Sequence, residues 1–95
     1  TTRHLFIHVV SALIVIFFGF YLRVSSLEWV ALTFAIGFVF VTEVLNTAIE
    51  IDIDLTSPEY HPYARDTKDV AAAAVLLSVF VAIIVGFIIF LPKMF

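Results

Sequence analysis

Five polar side chains, each at most four residues from the next, follow an uncharged run at positions 29–42, WVALTFAIGFVFVT. In chain order they are Glu43, Asn46, Thr47, Glu50 and Asp54, named here the polar stripe. At about 100° per residue, this spacing places them on one narrow face of a helix. A carboxylate that continues a membrane-length apolar stretch costs roughly 2.5–3.5 kcal/mol at the bilayer centre, so it normally marks a functional site.

These residue types suit a hard divalent cation bound together with a phosphate group. Mg²⁺ takes oxygen ligands, usually one or two carboxylates completed by water and phosphate oxygens, and Glu50 can supply one of them. Asn46, one turn earlier, can donate to a phosphate oxygen or hold a water, while Lys68 can neutralise phosphate charge. Glu43 lies deeper in the apolar run, where it can accept the proton of a lipid hydroxyl. Phosphoryl transfer needs mainly positioning and charge neutralisation, which the polar stripe can provide.

Composition limits the classes of protein to which the chain can belong. It has 95 residues, of which 63% are hydrophobic, and a mean hydropathy of +1.17, whereas soluble domains are about 45–50% apolar. The absence of cysteine excludes disulfides and thiolate metal sites, and five Lys and Arg residues are too few for a nucleic-acid footprint. The sequence contains neither a P-loop nor a kinase-type Gly-rich loop, so a nucleotide would be held by side chains and a metal.

Three apolar segments, residues 5–22, 27–51 and 70–91, are long enough to cross a membrane. The shortest reaches about 27 Å at 1.5 Å per residue. Ser25 lies three residues before Glu28, which is the pattern of a capping box at a helix start, and Trp29 suits a membrane interface. Pro92 is expected to stop the third span. The sequence therefore predicts an all-α membrane protein with three transmembrane helices in a single domain, 1–95.

Residues 52–69 are predicted to form an acidic loop that bends at Pro58 and Pro62. An odd number of spans puts the termini on opposite sides, and the distribution of basic residues weakly favours a cytoplasmic loop. Those basic residues are Arg3, Arg65 and Lys68 on one side against Arg23 and Lys93 on the other. Three short helices enclose little interior, so neighbouring subunits are expected to cover the polar stripe.

Taken singly, each candidate residue has an ordinary structural explanation. Glu43 could hydrogen-bond a packed helix, Asn46 could join two helices, and Glu50 could be the solvated end of a span. His8 is most simply a packing residue and His61 an exposed loop residue. It is their conjunction that favours a site. A non-enzymatic alternative also stays open, in which an oligomer uses Glu43 to conduct protons or cations.

The chain resembles the prokaryotic diacylglycerol kinase family, particularly its Gram-positive undecaprenol kinase branch. The resemblance rests on the block EVLNTAIE at residues 43–50, on Asp54, on EYH at 59–61 and on KDVAAAAV at 68–75. The segment RHLFIH at residues 3–8 also resembles the family's entry into its first span. The spacing between these blocks fits the family without gaps over essentially the whole chain.

The resemblance implies a homotrimer in the bacterial plasma membrane, with active sites shared between subunits at the cytoplasmic surface. It implies transfer of the γ-phosphate of ATP, bound with Mg²⁺, to a lipid alcohol. Undecaprenol, which would give undecaprenyl phosphate, is the favoured substrate, and diacylglycerol, which would give phosphatidic acid, is the alternative. No nucleic-acid partner is implied.

The family's roles can be carried over by position. Glu43 would be the catalytic base that acts on the lipid hydroxyl, Glu50 would hold the metal, and Asn46 would order that site. The nucleotide would be lined by Glu59, Tyr60 and His61, with Lys68 and Asp69 on its phosphate and sugar. The lipid would be bordered by Trp29 and Ala72.

Two departures from the family pattern stand out. Family members carry an amphipathic surface helix before the first span, and this sequence contains almost none of it. A second metal-binding Glu normally stands six residues before the position of His8, where this chain has Thr2. These departures leave open an altered, trimmed or inactive member of the family.

Overall fold

Three helices joined by short connections form an elongated bundle. The computed structural model describes residues 2–56, 59 and 61–95, except for the side chains of Thr2 and Arg3. The helices are α1 (Thr2–Tyr21), α2 (Ser26–Thr56) and α3 (Pro62–Met94). All three are long and apolar enough to cross a membrane, which confirms the predicted class.

The turn from α1 to α2 is closed by backbone and side-chain caps. The Val24 N–H donates to the Gly19 carbonyl at 3.1 Å, and the Arg23 N–H donates to the Phe20 carbonyl at 3.3 Å. This is a Schellman arrangement, with Arg23 in the left-handed region at φ 56°. The predicted capping box follows, because the Ser25 N–H donates to Glu28 Oε1 at 2.8 Å and the Glu28 N–H to Ser25 Oγ at 3.2 Å.

Three polar contacts fix the register of α2 against α3. In the order of α2 they are Glu28–Lys93 at 2.9 Å, Thr42–Ser78 at 2.9 Å and Asp54–Lys68 at 2.6 Å. The midpoint in sequence of each pair falls at residue 60 or 61, or between them. The two helices therefore form an antiparallel hairpin that keeps one register along its length. Near the α1–α2 turn, the hairpin packs on a small apolar cluster of Val24, Leu32 and Ile89.

The chain is apolar on its outside, while its buried positions include polar groups. Phe6, Phe34 and most other large apolar side chains are exposed on the single chain, and within positions 4–21 of α1 only Gly19 is buried. Glu43, Asn46 and Ser78 are buried. Lipid tails are as apolar as the side chains of a neighbouring helix, so apolar residues can contact either one. This distribution therefore fits a chain surrounded by a bilayer or by further subunits.

The prediction that residues 52–69 form a loop is wrong, since residues 52–56 belong to α2 and residues 62–69 to α3. A 33-residue helix such as α3 measures about 50 Å, whereas the hydrocarbon core is about 30 Å thick. The charged residues at positions 52–56 and 62–69 therefore lie on parts of α2 and α3 that continue past the apolar segments. Pro62 occupies the start of α3, where a missing N–H is tolerated, and the expected stop at Pro92 is also wrong because α3 continues to Met94.

Gly19 is expected to be required for the contact between α1 and α2. A Cβ at this position would lie 2.5 Å from the Trp29 indole, whereas a Cβ at Gly37 would meet no atom within 4 Å. We expect Gly19→Ala to lower the free energy of unfolding by about 1–3 kcal/mol through overpacking. Gly37→Ala should cause no loss, because alanine is the better helix former. Unfolding by SDS in mixed micelles measures both, and equal midpoints for the two variants would contradict the prediction.

Candidate functional site

The deepest residue of the polar stripe is paired with α1. The Glu43 side chain is 4% exposed, and its Oε2 lies 3.5 Å from Nε2 of His8, whose side chain is 17% exposed. The His8 ring also packs edge-on against Phe40, with centroids 6.3 Å apart. Two ionisable groups therefore meet within otherwise uncharged stretches of α1 and α2, which is the usual sign of function within a membrane protein.

One turn further along α2, Asn46 and Glu50 form a second pair. The Asn46 Nδ2 group donates to Glu50 Oε1 at 3.2 Å. The Asn46 Oδ1 atom is buried and has no hydrogen-bond partner within the described part of the chain. A buried amide oxygen without a partner costs about 1–3 kcal/mol, so this atom is suited to a donor from outside the chain, such as a water or a ligand.

Lys68 provides the positive charge beside this pair. Its Nζ donates to Asp54 Oδ1 at 2.6 Å, and its side chain is 36% exposed. Lys68 precedes the apolar part of α3, which begins at Val70. The hydrogen bond to Asp54, assisted by the more distant charge of Glu50, raises the pKa of the Lys68 ammonium. Lys68 is therefore a fixed cation next to the outer end of the polar stripe.

The oxygen atoms of this region fit a metal that arrives with phosphates. Among the residues that the structure describes, no group of three or more His, Cys, Asp and Glu side chains could hold a metal alone. Mg²⁺ commonly uses one or two carboxylates and takes its other ligands from water and phosphate. The Glu50 carboxylate, with the unpartnered Asn46 oxygen next to it, meets that requirement. The Thr2 side chain lies outside the described part, so its expected effect stays a prediction.

Three other predicted nucleotide residues, Glu59, His61 and Asp69, lie near the α2–α3 connection and are exposed. His61 caps α3, where its Nδ1 accepts a hydrogen bond from the Tyr63 N–H at 3.2 Å. Asp69 lies 3.9 Å from Arg65, one turn away on α3, and Glu59 is in a bend between the helices. Tyr60 lies outside the described residues. The structure thus places these residues at the same end of the bundle as Glu50 and Lys68, but not buried with the polar stripe.

The structure separates the two residues that were predicted to border the lipid. Ala72 is half-buried on α3, one turn after Lys68. Trp29 packs on Gly19 and Phe20, the latter with ring centroids 4.9 Å apart, at the opposite end of α2. Fourteen residues separate it from Glu43, or about 21 Å of helix. A lipid whose hydroxyl lies at Glu43 would reach Trp29 with its tail alone.

A groove between α2 and α3 runs beside the polar stripe. Its volume is about 530 Å³, and Asn46 forms part of its wall. Most of the other lining residues are apolar or small, namely Leu45, Ile49, Val70, Ala71 and Ala74, with polar Thr42, Tyr63, Asp66 and Thr67. The surface next to the buried amide can therefore accommodate an apolar chain.

Sequence reasoning missed two pairs of residues that the hairpin geometry brings together. His8 was taken as a packing residue, and Thr42 and Ser78 were not singled out. A signal was available in both cases. His8 and Glu43 are equally distant from the start of α2, between positions 25 and 26, and Thr42 and Ser78 are equally distant from position 60. Antiparallel hairpins bring such positions to the same level.

Comparison with known proteins bears on the family to which the chain belongs. The sequence profile described as "Prokaryotic diacylglycerol kinase" matches residues 1–90. The undecaprenol kinase of Bacillus subtilis is 40% identical over 94 residues, which is 99% of this chain and 76% of that protein. A diacylglycerol kinase from Synechocystis is 37% identical over 95 residues, 99% of this chain and 54% of that protein.

The diacylglycerol kinase of Escherichia coli K12 is 35% identical over 75 residues, which is 79% of this chain and 62% of that protein. The chain thus spans only about half to three quarters of these relatives. No solved structure gives a significant match. Both the family profile and the full-chain similarity to the first relative lead to one conclusion: the chain belongs to the prokaryotic diacylglycerol kinase family.

Proposed function

We propose that this protein transfers the γ-phosphate of ATP to undecaprenol at the cytoplasmic face of a bacterial plasma membrane. The observation that carries the proposal is the order of groups along the polar stripe. The buried carboxylate of Glu43 lies about one turn from Asn46 and two turns from Glu50, which are paired with each other. Lys68 lies beyond Glu50, paired with Asp54. This order suits a reaction in which a lipid hydroxyl meets a triphosphate at the membrane boundary.

Each side chain has a chemical role in the proposed reaction. The Glu43 carboxylate accepts the proton of the lipid hydroxyl while the hydroxyl oxygen attacks the γ-phosphorus and ADP leaves. Glu50 would hold Mg²⁺, which neutralises charge on the transferred phosphoryl group. Lys68 has three N–H donors, so it can keep Asp54 as one partner and contact a phosphate with another.

Undecaprenol is favoured over diacylglycerol because an undecaprenol kinase is 40% identical and is matched over 76% of its own length, against 37% identity and 54% for the Synechocystis diacylglycerol kinase. Other relatives are diacylglycerol kinases, which makes diacylglycerol the alternative. The apolar groove beside Asn46 suits the hydrocarbon part of either lipid. The groove does not by itself select between them.

The proposal includes a homotrimer whose subunits share their active sites. One observation supports an assembly of this kind. The Asn46 Oδ1 atom is buried without a partner in the described part of the chain, and a neighbouring subunit can supply a donor for it.

Glu43→Gln is expected to lower kcat by at least about 100-fold, because an amide cannot accept the hydroxyl proton. MgATP affinity should change little, since Glu50 and Lys68 remain. Phosphorylated lipid is measured in bicelles with ATP and Mg²⁺, and nucleotide affinity by calorimetry. Normal turnover in this variant would show that Glu43 is not the base.

Glu50→Gln is expected to weaken MgATP binding about tenfold or more, because a charged metal ligand is lost; tenfold corresponds to about 1.4 kcal/mol. Asp52→Asn is the matched control, since it removes an exposed carboxylate from the same part of α2. Calorimetric titration of each variant with MgATP provides the comparison. Equal weakening in both variants would mean that only the general negative charge of this end matters.

A lipid competition assay tests the substrate. We expect kcat/KM for undecaprenol to exceed that for diacylglycerol when both are supplied in the same bicelles with radiolabelled ATP. Preference for diacylglycerol would select the alternative substrate. No phosphorylated product from either lipid, with protein that unfolds cooperatively, would overturn the kinase proposal for this chain.

A further inference from the structure

The contact between His8 and Glu43 bears on how the proposed base is reset after each turnover. Accepting a proton from the lipid hydroxyl leaves Glu43 neutral, and it must lose that proton before it can act again. Its side chain is only 4% exposed, so direct transfer to water is obstructed. His8 Nε2 lies 3.5 Å from Glu43 Oε2, and the His8 side chain is more accessible, at 17% exposed.

We propose that His8 accepts this proton from Glu43 and passes it to solvent, an inference that rests on the proposed kinase function. In the step, the O–H bond at Glu43 Oε2 breaks and an N–H bond forms at His8 Nε2. Glu43 returns to carboxylate and His8 becomes imidazolium, which then releases the proton to water. The acting tautomer of neutral His8 carries its hydrogen on Nδ1, with Nε2 free to accept. His8 acts through Glu43, not on the lipid.

The surroundings of the pair favour such a transfer. Among the side chains that the structure describes, the next ionisable groups along the two helices are His4 on α1, one turn away, and Glu50 on α2, two turns away. α3 carries no charged residue from Val70 to Leu91. At this depth it contributes the Ser78 hydroxyl, which is hydrogen-bonded to the Thr42 hydroxyl. In this weakly screened environment, the attraction between the imidazolium and the carboxylate offsets part of the cost of creating two buried charges.

The separation of 3.5 Å is slightly longer than a direct hydrogen bond, so a small movement of either side chain brings the two atoms within the range of proton transfer. The edge-on packing of the His8 ring on Phe40 limits how the ring can turn away. His8 therefore stays directed at Glu43 and not at lipid.

Two variants separate proton transfer from packing. His8→Gln keeps a polar side chain and His8→Phe keeps an aromatic ring against Phe40, but neither accepts a proton near neutral pH. Both are expected to lower kcat at least tenfold while KM for MgATP stays within about twofold. His4→Gln, an exposed histidine one turn away on α1, should match the parent protein. Lipid phosphorylation is followed in bicelles from pH 5.5 to 9.

The response of kcat to added imidazole distinguishes a proton-transfer role of His8 from a packing role, because a packing defect would not respond to imidazole. If proton removal limits the His8→Gln variant, its kcat should rise with imidazole concentration at constant ionic strength, while the parent protein should not respond. A kcat within twofold of the parent in either folded variant, or a loss that imidazole does not relieve, would overturn the proposal. Cooperative unfolding in SDS identifies which variants are folded.

The two proposals fail in different ways. A parent protein that phosphorylates neither lipid contradicts the kinase function and this inference with it. An active parent whose His8 variants are equally active contradicts the role of His8 alone.

Discussion

Burial of the Glu43 carboxylate between apolar helices is the constraint on which the rest of the structure depends. A charge at this depth is costly, so it has to be matched by other polar groups and by a rigid frame. His8 provides a polar group next to Glu43, and the α2–α3 hairpin provides the rigid frame. The ion pairs near each end of that hairpin and the Thr42–Ser78 contact between them hold α2 in one register, which keeps Glu43 facing α1.

The same register grades the environment along the polar stripe. Glu43 and Asn46 are buried, Glu50 is half-buried and Asp54 is exposed. The side chains along this one helix thus change from buried to exposed within about 16 Å, counting eleven residues from Glu43 to Asp54. The proposed proton abstraction needs the buried environment, and the proposed binding of a charged triphosphate needs the exposed one. The length of α2, 31 residues, makes it possible to have both on one element.

Much of this arrangement could be predicted from sequence because it depends on one helix. The spacing of polar residues along α2 sets the stripe, and the capping box at Ser25 and Glu28 sets where that helix begins. The pairing of His8 with Glu43 depends on how two helices meet, and a residue-by-residue reading gave His8 only a packing role. The extent of α2 and α3 past the membrane was also missed, since charge and proline at positions 52–69 suggested a loop where the helices continue.

Family membership and geometry together support a lipid kinase, and the placement of the triphosphate relative to Glu43 is its central claim. A crystal structure with a non-hydrolysable ATP analogue and Mg²⁺ tests that placement most directly. We expect the metal to lie at the Glu50 carboxylate and the terminal phosphate to lie on the side that faces Glu43. Lys68 should contact a phosphate oxygen. A nucleotide bound at the Glu28–Lys93 end, or one whose metal is held without Glu50, would contradict it.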